Sequence, residues 1–559
     1  MISSKKNAQI LASVLLDKGI TDIIISPGSR NAPLINTFTG INSFRCLNIV
    51  DERSAGFFDL GMAIELKKPV ALTCTSGSAM LNYAPAIAEA YYQKVPLLIL
   101  TADRPAEWID QSDGQTIRQQ NAYRNYIKNS YSLIENPVRP DEEWYLARII
   151  NQAVNNLTFP EPGPVHINIP FAEPIYGLED APLPQAKIFS ISSEGVMVDD
   201  SESIRQFVNV WNQSRKKMIL TGQMFPAKVL NDLLNKLVTD PSVTILTETI
   251  SNLKGDNLIG NIDNVLTSLD NEKAYSPDLL VTIGGQVVSK KIKAFLRNCH
   301  ITSHWHFSKS GEPVDTYQSL TDIITYDPVD FLSKISQCSV GSVSDYGLMW
   351  KNADTAARKR HQQFLKSCPF SDLKVFEIIL NKMPDNTVLH LSNSTPIRYA
   401  QLFTHTKNIS FMSNRGTSGI DGVISTAAGN AYASGKLNTV IAGDLAFFYD
   451  SNAIWNKHLT GNLRIIVINN GGGGIFRFLD GSSTMPELET HYEASHDYNA
   501  ASVAKAYNIE AKVATDELSL TEGLDWLYGN FEKPALLEIK TPGKHNAEIL
   551  KAYFKFLKE

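Results

Sequence analysis

The chain alternates short apolar runs with longer segments in which apolar residues recur at helical spacing. In the N-terminal part the apolar runs fall at 23–26, 45–50, 70–73, 97–101 and 163–169. Runs this short, bounded by Gly, Pro, Ser and Asp, are typical of buried parallel strands. Strands that alternate with helices predict a doubly wound α/β domain.

The same alternation occurs twice more along the chain. Further strands are predicted at 218–221, 243–247, 279–283, 301–307, 388–391, 409–412, 439–442 and 463–468. Segment 176–200, rich in Pro, Ser and Asp, predicts a linker, and 340–375 predicts a helical lead-in. A chain of 559 residues is too long for one core. We predict an α/β fold with three doubly wound parallel-sheet domains, at 1–180, 195–335 and 350–559.

Composition excludes several classes of protein. The apolar segment at the N-terminus is broken by Asp17 and Lys18, which argues against a signal peptide. No apolar run reaches the roughly 18 residues of a membrane span, so we expect no membrane partner. The net charge of −6 gives no support for nucleic acid as a partner. Five scattered cysteines without paired spacing predict reduced thiols and a cytoplasmic protein.

The stretch 439–476 offers the most specific chemistry. Its two apolar strands end on Asp444 and on Asn470, and 471–474 are four glycines. A strand–helix–strand unit places parallel strands side by side, with their carboxyl ends at one edge. Asp450 is a candidate N-cap for the intervening helix. Carboxylate, amide and carbonyl oxygens suit Mg²⁺, and glycines let a diphosphate approach the backbone.

The 28 residues from Gly443 to Asn470 match the spacing of a thiamin-diphosphate motif. Taken alone, an ordinary βαβ crossover with a glycine turn explains the same pattern. Glu52, just past a strand, is likewise either a helix cap or a carboxylate for a ligand nitrogen. The polar segment 111–120 places Gln115 where its amide can reach a substrate. Taken alone, the adjacent Lys290 and Lys291 are most simply interpreted as solvent-exposed surface residues.

Four arginines fall at or just past strand ends, namely Arg30, Arg104, Arg398 and Arg415. In a chain of negative net charge they predict a cationic cleft. The guanidinium group of arginine binds a carboxylate through two parallel hydrogen bonds. Small polycarboxylates are therefore the expected ligands. His304 and His306 share one face of a strand, but a third zinc ligand is not evident.

Nine segments together resemble one family, the thiamin-dependent 2-succinyl-5-enolpyruvyl-6-hydroxy-3-cyclohexene-1-carboxylate synthases (MenD family) of menaquinone biosynthesis. They are SPGSRNAPL (26–34), DERSAGFF (51–58), TSGSA (75–79), TADRPAE (101–107), GPVHINIPF (163–171), SNSTPIR (392–398), SNRGTSGIDG (413–422), GDLAFFYDSNA (443–453) and NNGGGGIF (469–476). They cover both outer domains, whereas the middle domain matches weakly around 278–291.

The resemblance implies three domains of the thiamin-diphosphate-binding type: pyrimidine-binding, central and diphosphate-binding. It implies thiamin diphosphate with Mg²⁺ or Mn²⁺, and a homodimer or homotetramer whose active sites lie between subunits. It also implies the reaction: 2-oxoglutarate is decarboxylated, and the succinyl unit is added to isochorismate.

The resemblance further assigns roles to individual residues. Glu52 is the implied catalytic residue, bound to the aminopyrimidine, and Ile420 is the apolar residue that holds the cofactor bent. The implied metal ligands are Asp444, Asn470 and Gly472. The implied cofactor-binding residues are Ser26, Pro27, Gly28, Glu52, Ser76, Gly77, Ser418, Gly419, Ile420, Asp444, Leu445, Asn470, Gly472, Gly473, Ile475 and Phe476. The implied substrate-binding residues are Arg30, Arg104, Gln115, Lys290, Lys291, Ser394, Arg398, Arg415, Ile475 and Phe476.

Two positions depart from the expected motifs. Leu445 replaces the third glycine of the general thiamin motif, although it matches this subgroup. Lys291 stands where an arginine is expected, and lysine cannot form a fork. The alternatives are another thiamin enzyme, such as a 2-oxo acid decarboxylase or acetolactate synthase, and a non-catalytic nucleotide-binding protein. Residues 480–492 are either a polar surface loop or a lid.

Overall fold

A computed structural model describes residues 1–191, 202–341, 343–478 and 481–559. These residues form three parallel sheets flanked by helices, which confirms the predicted α/β class with three sheets. The predicted domain bounds stay predictions, and the start of the central domain at 195 lies outside the described residues.

The first sheet lies within the N-terminal part of the chain. Its strands are β2 (Asp22–Ile25), β3 (Arg45–Asn48), β4 (Val70–Cys74), β5 (Leu97–Asp103), β6 (Asn129–Ser132) and β7 (Val165–Pro170). Two short strands, β1 (Ile2–Ser3) and β8 (Leu178–Glu179), form a separate antiparallel pair. The helices are α1 (Lys6–Asp17), α2 (Ala32–Thr39), α3 (Glu52–Leu66), α4 (Ser78–Asn82), α5 (Ala84–Gln93) and α6 (Pro140–Asn156). The six-stranded parallel sheet has the order β3-β2-β4-β5-β7-β6.

The second sheet is the smallest of the three parallel sheets. Its strands are β9 (Lys217–Thr221), β10 (Val243–Thr247), β11 (Leu279–Ile283), β12 (Ser303–Phe307) and β13 (Asp322–Ile324), in the order β10-β9-β11-β12-β13. The helices are α7 (Glu202–Gln213), α8 (Lys228–Leu237), α9 (Ile262–Thr267), α10 (Lys290–Arg297) and α11 (Pro328–Cys338).

The third sheet again has six parallel strands. They are β14 (Thr387–Leu391), β15 (Ile409–Met412), β16 (Asn438–Gly443), β17 (Leu463–Asn469), β18 (Glu510–Ala514) and β19 (Ala535–Lys540), in the order β15-β14-β16-β17-β19-β18. The helices, after the connecting α12 (Tyr346–Leu365), are α13 (Asp372–Lys382), α14 (Thr395–Ala400), α15 (Val423–Ser434), α16 (Asp444–Tyr449), α17 (Ala500–Ala506), α18 (Glu517–Leu527) and α19 (Gly543–Lys558).

Helix α12 joins the second and third sheets through buried contacts at both of its ends. Trp350 is fully buried among apolar residues of the central domain. Near the other end, His361 Nδ1 lies 2.6 Å from the Tyr553 hydroxyl, which donates to Asn264 Oδ1 at 2.9 Å. Asn264 Nδ2 donates to Leu402 O at 2.8 Å. The central and third domains are thus connected by one continuous helix and a buried hydrogen-bond network.

Helices α3 and α15 lie between the first and third sheets and share one apolar core with both. Two glycines let their backbones touch. A Cβ on Gly61 would lie 2.0 Å from Thr426 O, and one on Gly429 would lie 2.0 Å from Phe58 O. No side chain fits at either position, so this crossing fixes the first domain against the third.

Gly429→Ala is expected to destabilise the protein, although alanine is the better helix former. The added methyl group has to push the backbone of α3 away, and overpacking of this kind costs about 1–3 kcal/mol. Thermal denaturation would measure the effect. Gly341→Ala, where a Cβ meets nothing within 4 Å, is the control. Equal melting temperatures for both variants would contradict the close contact.

Several predictions require correction or completion. The predicted linker contains β8, which pairs with β1, and 192–201 lie outside the described residues. Asp450 directly precedes the 3₁₀ turn Ser451–Trp455, where the sequence predicted a longer helix with Asp450 as its N-cap, but its side chain makes no capping hydrogen bond to that turn. The Asp450 carboxylate instead accepts hydrogen bonds from Ser425 N at 2.8 Å and Ser425 Oγ at 2.7 Å. Burial raises the pKa of Asp450 to about 7.

Residues 480–492 are only partly described, since Asp480 lies outside the described residues. Ser482–Thr484 and Leu488–Tyr492 form short helical turns. The described helices include none that is both long and apolar enough to cross a membrane.

Candidate active site

Four neighbouring strands of the third sheet end in polar segments at one edge. Along β15, β14, β16 and β17 these segments contain Arg415, Ser394 with Arg398, Asp444 and Asn470 in turn. The carboxyl edge of a parallel sheet is where such folds bind ligands.

Asp444 and the glycine segment 471–474 lie together, as the sequence predicts. Asp444 Oδ2 accepts hydrogen bonds from Gly471 N and Gly472 N, each at 2.9 Å. A Cβ on Gly472 would lie 2.6 Å from Glu493 O, so only glycine fits. Burial raises the pKa of Asp444, and His496 Nε2 lies 3.3 Å from its Oδ2.

Asn470 is held by a residue that sequence reasoning missed. Asp372, the first residue of α13, accepts from Asn470 Nδ2 at 3.1 Å and from Thr541 Oγ1 at 2.6 Å. A carboxylate only accepts, so the amide nitrogen of Asn470 faces Asp372 and the amide oxygen is left for another partner. Burial raises the pKa of Asp372 to about 6. No local sequence signal pointed to Asp372.

The donor set around Asp444 fits a divalent cation that shares its shell with phosphate. Among the residues that the structure describes, no group of three or more His, Cys, Asp and Glu side chains could hold a metal. One carboxylate, one amide oxygen and one glycine carbonyl cannot complete an octahedron. Oxygens of a bound diphosphate would supply the remaining ligands for Mg²⁺.

The other predicted cofactor residues of this edge surround the glycine loop. Leu445 N donates to Asp444 Oδ1 at 2.6 Å, and Gly473 N donates to Glu493 O at 2.6 Å. Ile475 and Phe476 are half-buried in a 3₁₀ turn, Gly474–Arg477. They are placed to form the predicted apolar wall.

The two arginines of this edge present unpaired donors. Arg415 is buried and donates from Nη1 to Asn393 Oδ1 at 2.7 Å. The Nε atoms of Arg398 and Arg415 are buried without a hydrogen-bond partner. Burial, and after it the charge of Arg398, lowers the pKa of Arg415. Ser394, in the same segment as Arg398, has a φ of 74°, a strained conformation typical of functional sites.

The segment after Arg415 is held open towards solvent. Asn393 Nδ2 donates to Gly419 O at 2.6 Å. Ser418 has a φ of 63°, and its Oγ donates to Gln286 Oε1 at 3.3 Å. Ile420 is 38% exposed, which leaves its side chain free to contact a ligand.

The carboxyl edge of the first sheet collects the remaining predicted residues. Glu52 is half-buried at the N-terminus of α3, and burial raises its pKa. Gly28 lies so close to Thr75 that a Cβ would be 2.3 Å from the threonine Cβ, in the turn that includes Ser26 and Pro27. Arg30 Nη1 donates to Phe171 O at 2.8 Å.

Gln115 and Arg104 lie near the turn formed by Ser76 and Gly77. A Cβ on Gly77 would be 3.3 Å from Gln115 Cα, and Ser76 Oγ is buried without a partner. Arg104 Nη1 pairs with Asp113 Oδ2 at 2.9 Å, while its Nε has no partner. This edge therefore also presents unused donors.

The two edges are not joined within one chain. Across the described ranges, no hydrogen bond or ion pair links the predicted site residues of the first domain to those of the third. Beside Glu52, Arg53 Nη2 donates to Tyr449 O, at the opposite end of α16 from Asp444. The two edges, the first-domain and third-domain half-sites of the proposed active site, therefore share no such bond through their predicted residues in the described part of the chain.

The two predicted lysines of the central domain lie in different surroundings. Lys290 is exposed, whereas Lys291 donates to Thr267 Oγ1 and lies 3.7 Å from the ring centre of Phe554. Gln286, which sequence reasoning missed, donates from Nε2 to Gly416 O at 2.7 Å. The side chains of His304 and His306 both bond to Thr282 Oγ1, at 3.0 and 2.9 Å.

The fold and the site are those of a thiamin-diphosphate-dependent enzyme, with three parallel sheets, a glycine loop around a buried aspartate and a second polar sheet edge. Family models of this enzyme class match three parts of the chain. Residues 5–123 match "Thiamine pyrophosphate enzyme, N-terminal TPP binding domain", 197–391 match "Middle domain of thiamine pyrophosphate", and 394–539 match "Thiamine pyrophosphate enzyme, C-terminal TPP binding domain". The chain belongs to the 2-succinyl-5-enolpyruvyl-6-hydroxy-3-cyclohexene-1-carboxylate synthase family.

Curated relatives of that name match over almost the full chain. The protein from Flavobacterium johnsoniae is 42% identical over 556 residues, 98% of each chain. The one from Flavobacterium psychrophilum is 44% identical over the same span and coverage. The one from Bacteroides thetaiotaomicron is 38% identical over 569 residues, 100% of each chain.

Proposed function

We propose that this protein catalyses the reaction for which its relatives are named. 2-Oxoglutarate loses CO₂, and the remaining succinyl unit is added to isochorismate to give 2-succinyl-5-enolpyruvyl-6-hydroxy-3-cyclohexene-1-carboxylate, a step of menaquinone biosynthesis. The observation that supports it most directly is a pair of arginines on strand ends adjoining the Asp444 loop, buried Arg415 and half-buried Arg398, whose buried Nε atoms have no partner. Unpaired buried cations beside a diphosphate site call for anionic substrates.

Thiamin diphosphate with Mg²⁺ is the proposed cofactor, and Mn²⁺ would fit the same oxygen ligands. When bound, the cofactor supplies the nucleophilic carbon that takes up the 2-oxo group and stabilises the charge left by CO₂. Asp444, Asn470 and the carbonyl of Gly472 would hold the metal. The remaining residues of the glycine loop and Ser418, Gly419 and Leu445 would line the diphosphate, and Ile420 would hold the cofactor bent.

Glu52 is the proposed catalytic carboxylate. Burial raises its pKa, which favours the protonated carboxyl, the form that can donate to a ring nitrogen and exchange a proton with it. The turns at Ser26–Gly28 and Ser76–Gly77 would hold the same ring through backbone groups. Ile475 and Phe476 would exclude water, which protects the reacting carbon from premature protonation.

The substrates would be held from both edges. Arg398, Arg415 and Ser394 would bind from the third domain, and Arg30, Arg104 and Gln115 from the first. Because the two edges are separate within one chain, we propose that the first-domain edge of one subunit faces the third-domain edge of another. This requires a homodimer, or a homotetramer built from two such pairs.

The test is a coupled assay. The purified protein is incubated with thiamin diphosphate, Mg²⁺, 2-oxoglutarate and isochorismate, and the adduct and CO₂ are detected by mass. Adduct that needs both cofactor and metal is the expected result. Succinic semialdehyde without adduct would mean that the acceptor is a compound other than isochorismate. An unchanged level of 2-oxoglutarate would overturn the proposal.

Asp372→Asn is expected to weaken Mg²⁺ binding about 10- to 100-fold, as losses of outer-shell partners do. The NH₂ group of an asparagine can face Asn470 Nδ2, and two donors cannot bond to each other. The amide of Asn470 is then favoured in the flipped orientation, with its oxygen turned towards position 372. The readout is Mn²⁺ affinity by electron paramagnetic resonance at a fixed thiamin diphosphate concentration. Thr541→Val, which removes only the second bond to Asp372, should cost less. If both variants bound Mn²⁺ like the natural protein, Asp372 would have no positioning role.

A further inference from the structure

The central domain offers a cation that neither motif nor resemblance identified. Helix α10 starts at Lys290, with Ser289 as its N-cap. Residues three and seven positions further along a helix share a face. Lys293 and Arg297 therefore lie on the face of Lys290, whereas Lys291 points elsewhere, towards Thr267 and Phe554.

Lys293 borders the third-domain half-site. It lines a cavity of about 1050 Å³ together with Arg415, Met412 and Gln286. Gln286 donates to Gly416 O, so the segment before α10 and the loop after Arg415 are tied together. Burial lowers the pKa of Lys293, the charge of Glu248 raises it, and the charges of Arg415, Arg297 and Arg398 lower it.

Glu248 is an acid that acts on this cluster, since its charge raises the pKa of both Lys293 and Arg415. Its carboxylate accepts from Val288 N at 2.7 Å and from Ser289 N at 3.0 Å, just before α10. One carboxylate offsets part of the charge of Lys293, Arg398 and Arg415 but cannot neutralise three cations. Such like charges repel one another unless an anion binds among them.

We infer that Lys293, rather than Lys291, completes a carboxylate-binding cluster with Arg398 and Arg415. The inference rests on the proposed function, since a substrate carboxylate is the anion that the cluster would bind. Lys293 would act as a point charge beside the two guanidinium forks. The lysine pair at 290–291 would then contribute through Lys290 alone.

The test compares Lys293→Gln with Lys309→Gln, which removes an exposed charge from the same cavity away from the arginines. Loss of a hydrogen bond to a charged group predicts a roughly 10- to 100-fold rise in KM for 2-oxoglutarate or isochorismate, with a smaller change in kcat. Lys309→Gln should leave both KM values unchanged. Lys293→Arg should restore most of the affinity.

Two further measurements separate the possible failures. Wild-type turnover in the same assay tests the proposed function itself, before any variant is compared. Melting temperatures show whether Lys293→Gln is folded. Unchanged KM values for both substrates in folded Lys293→Gln, or a rise only in Lys291→Gln, would overturn the assignment.

Discussion

Glu52→Gln is expected to lower turnover roughly 100- to 10,000-fold, the range typical of a lost general acid–base group. Glutamine keeps the size of the side chain and its place at the N-terminus of α3. It cannot exchange a proton with a ring nitrogen. Cofactor affinity should therefore change little, because the proposed binding sites of the diphosphate and the metal are on the other sheet edge. Steady-state kinetics and a thiamin diphosphate binding titration measure the two quantities.

Glu65→Gln is the matched control for that variant. Glu65 lies on the same helix, and its only described contact is a long one, 3.5 Å from Asn430 Nδ2. Its turnover should stay near that of the natural protein. Near-normal turnover in Glu52→Gln would refute the role of Glu52, whatever the control shows.

Asp444→Asn is expected to weaken Mg²⁺-dependent binding of thiamin diphosphate by at least about 100-fold, more than the loss of an outer-shell partner. The substitution removes the single carboxylate from the proposed metal ligands. It also offers a donor where Gly471 and Gly472 need an acceptor, so the glycine loop loses its anchor. Equilibrium dialysis with and without Mg²⁺ measures the change.

Asp497→Asn serves as the control, since Asp497 is exposed next to His496. Its cofactor affinity should equal that of the natural protein. If Asp444→Asn bound thiamin diphosphate with natural affinity and natural metal dependence, the metal site would have to lie elsewhere.

Most buried strands were predicted, but buried β19 and several edge strands were not. β9, β10 and β11 are fully buried and appear in the sequence as short runs rich in apolar residues. β6 and β18 are edge strands with polar or exposed residues, so their sequences lack that signal. The parallel pairing of β16 with β17 followed from the strand–helix–strand pattern alone.

The site was predictable where residues belong to strand-end motifs. Asp444 and the glycine loop meet as the motif requires. Asp372 and Lys293 were missed because they meet the site through tertiary packing from distant helices. Their neighbours in sequence, a helix start and a basic helix face, are common surface patterns.

The connection through α12 has a consequence for substrate choice. Because one helix and the Asn264–Tyr553 hydrogen bond fix the central domain against the third, the gap between Lys293 and the two arginines has a set width. A gap of set width would fit a dicarboxylic 2-oxo acid of one length. An acid one carbon shorter or longer than 2-oxoglutarate, the proposed substrate, would therefore bind more weakly.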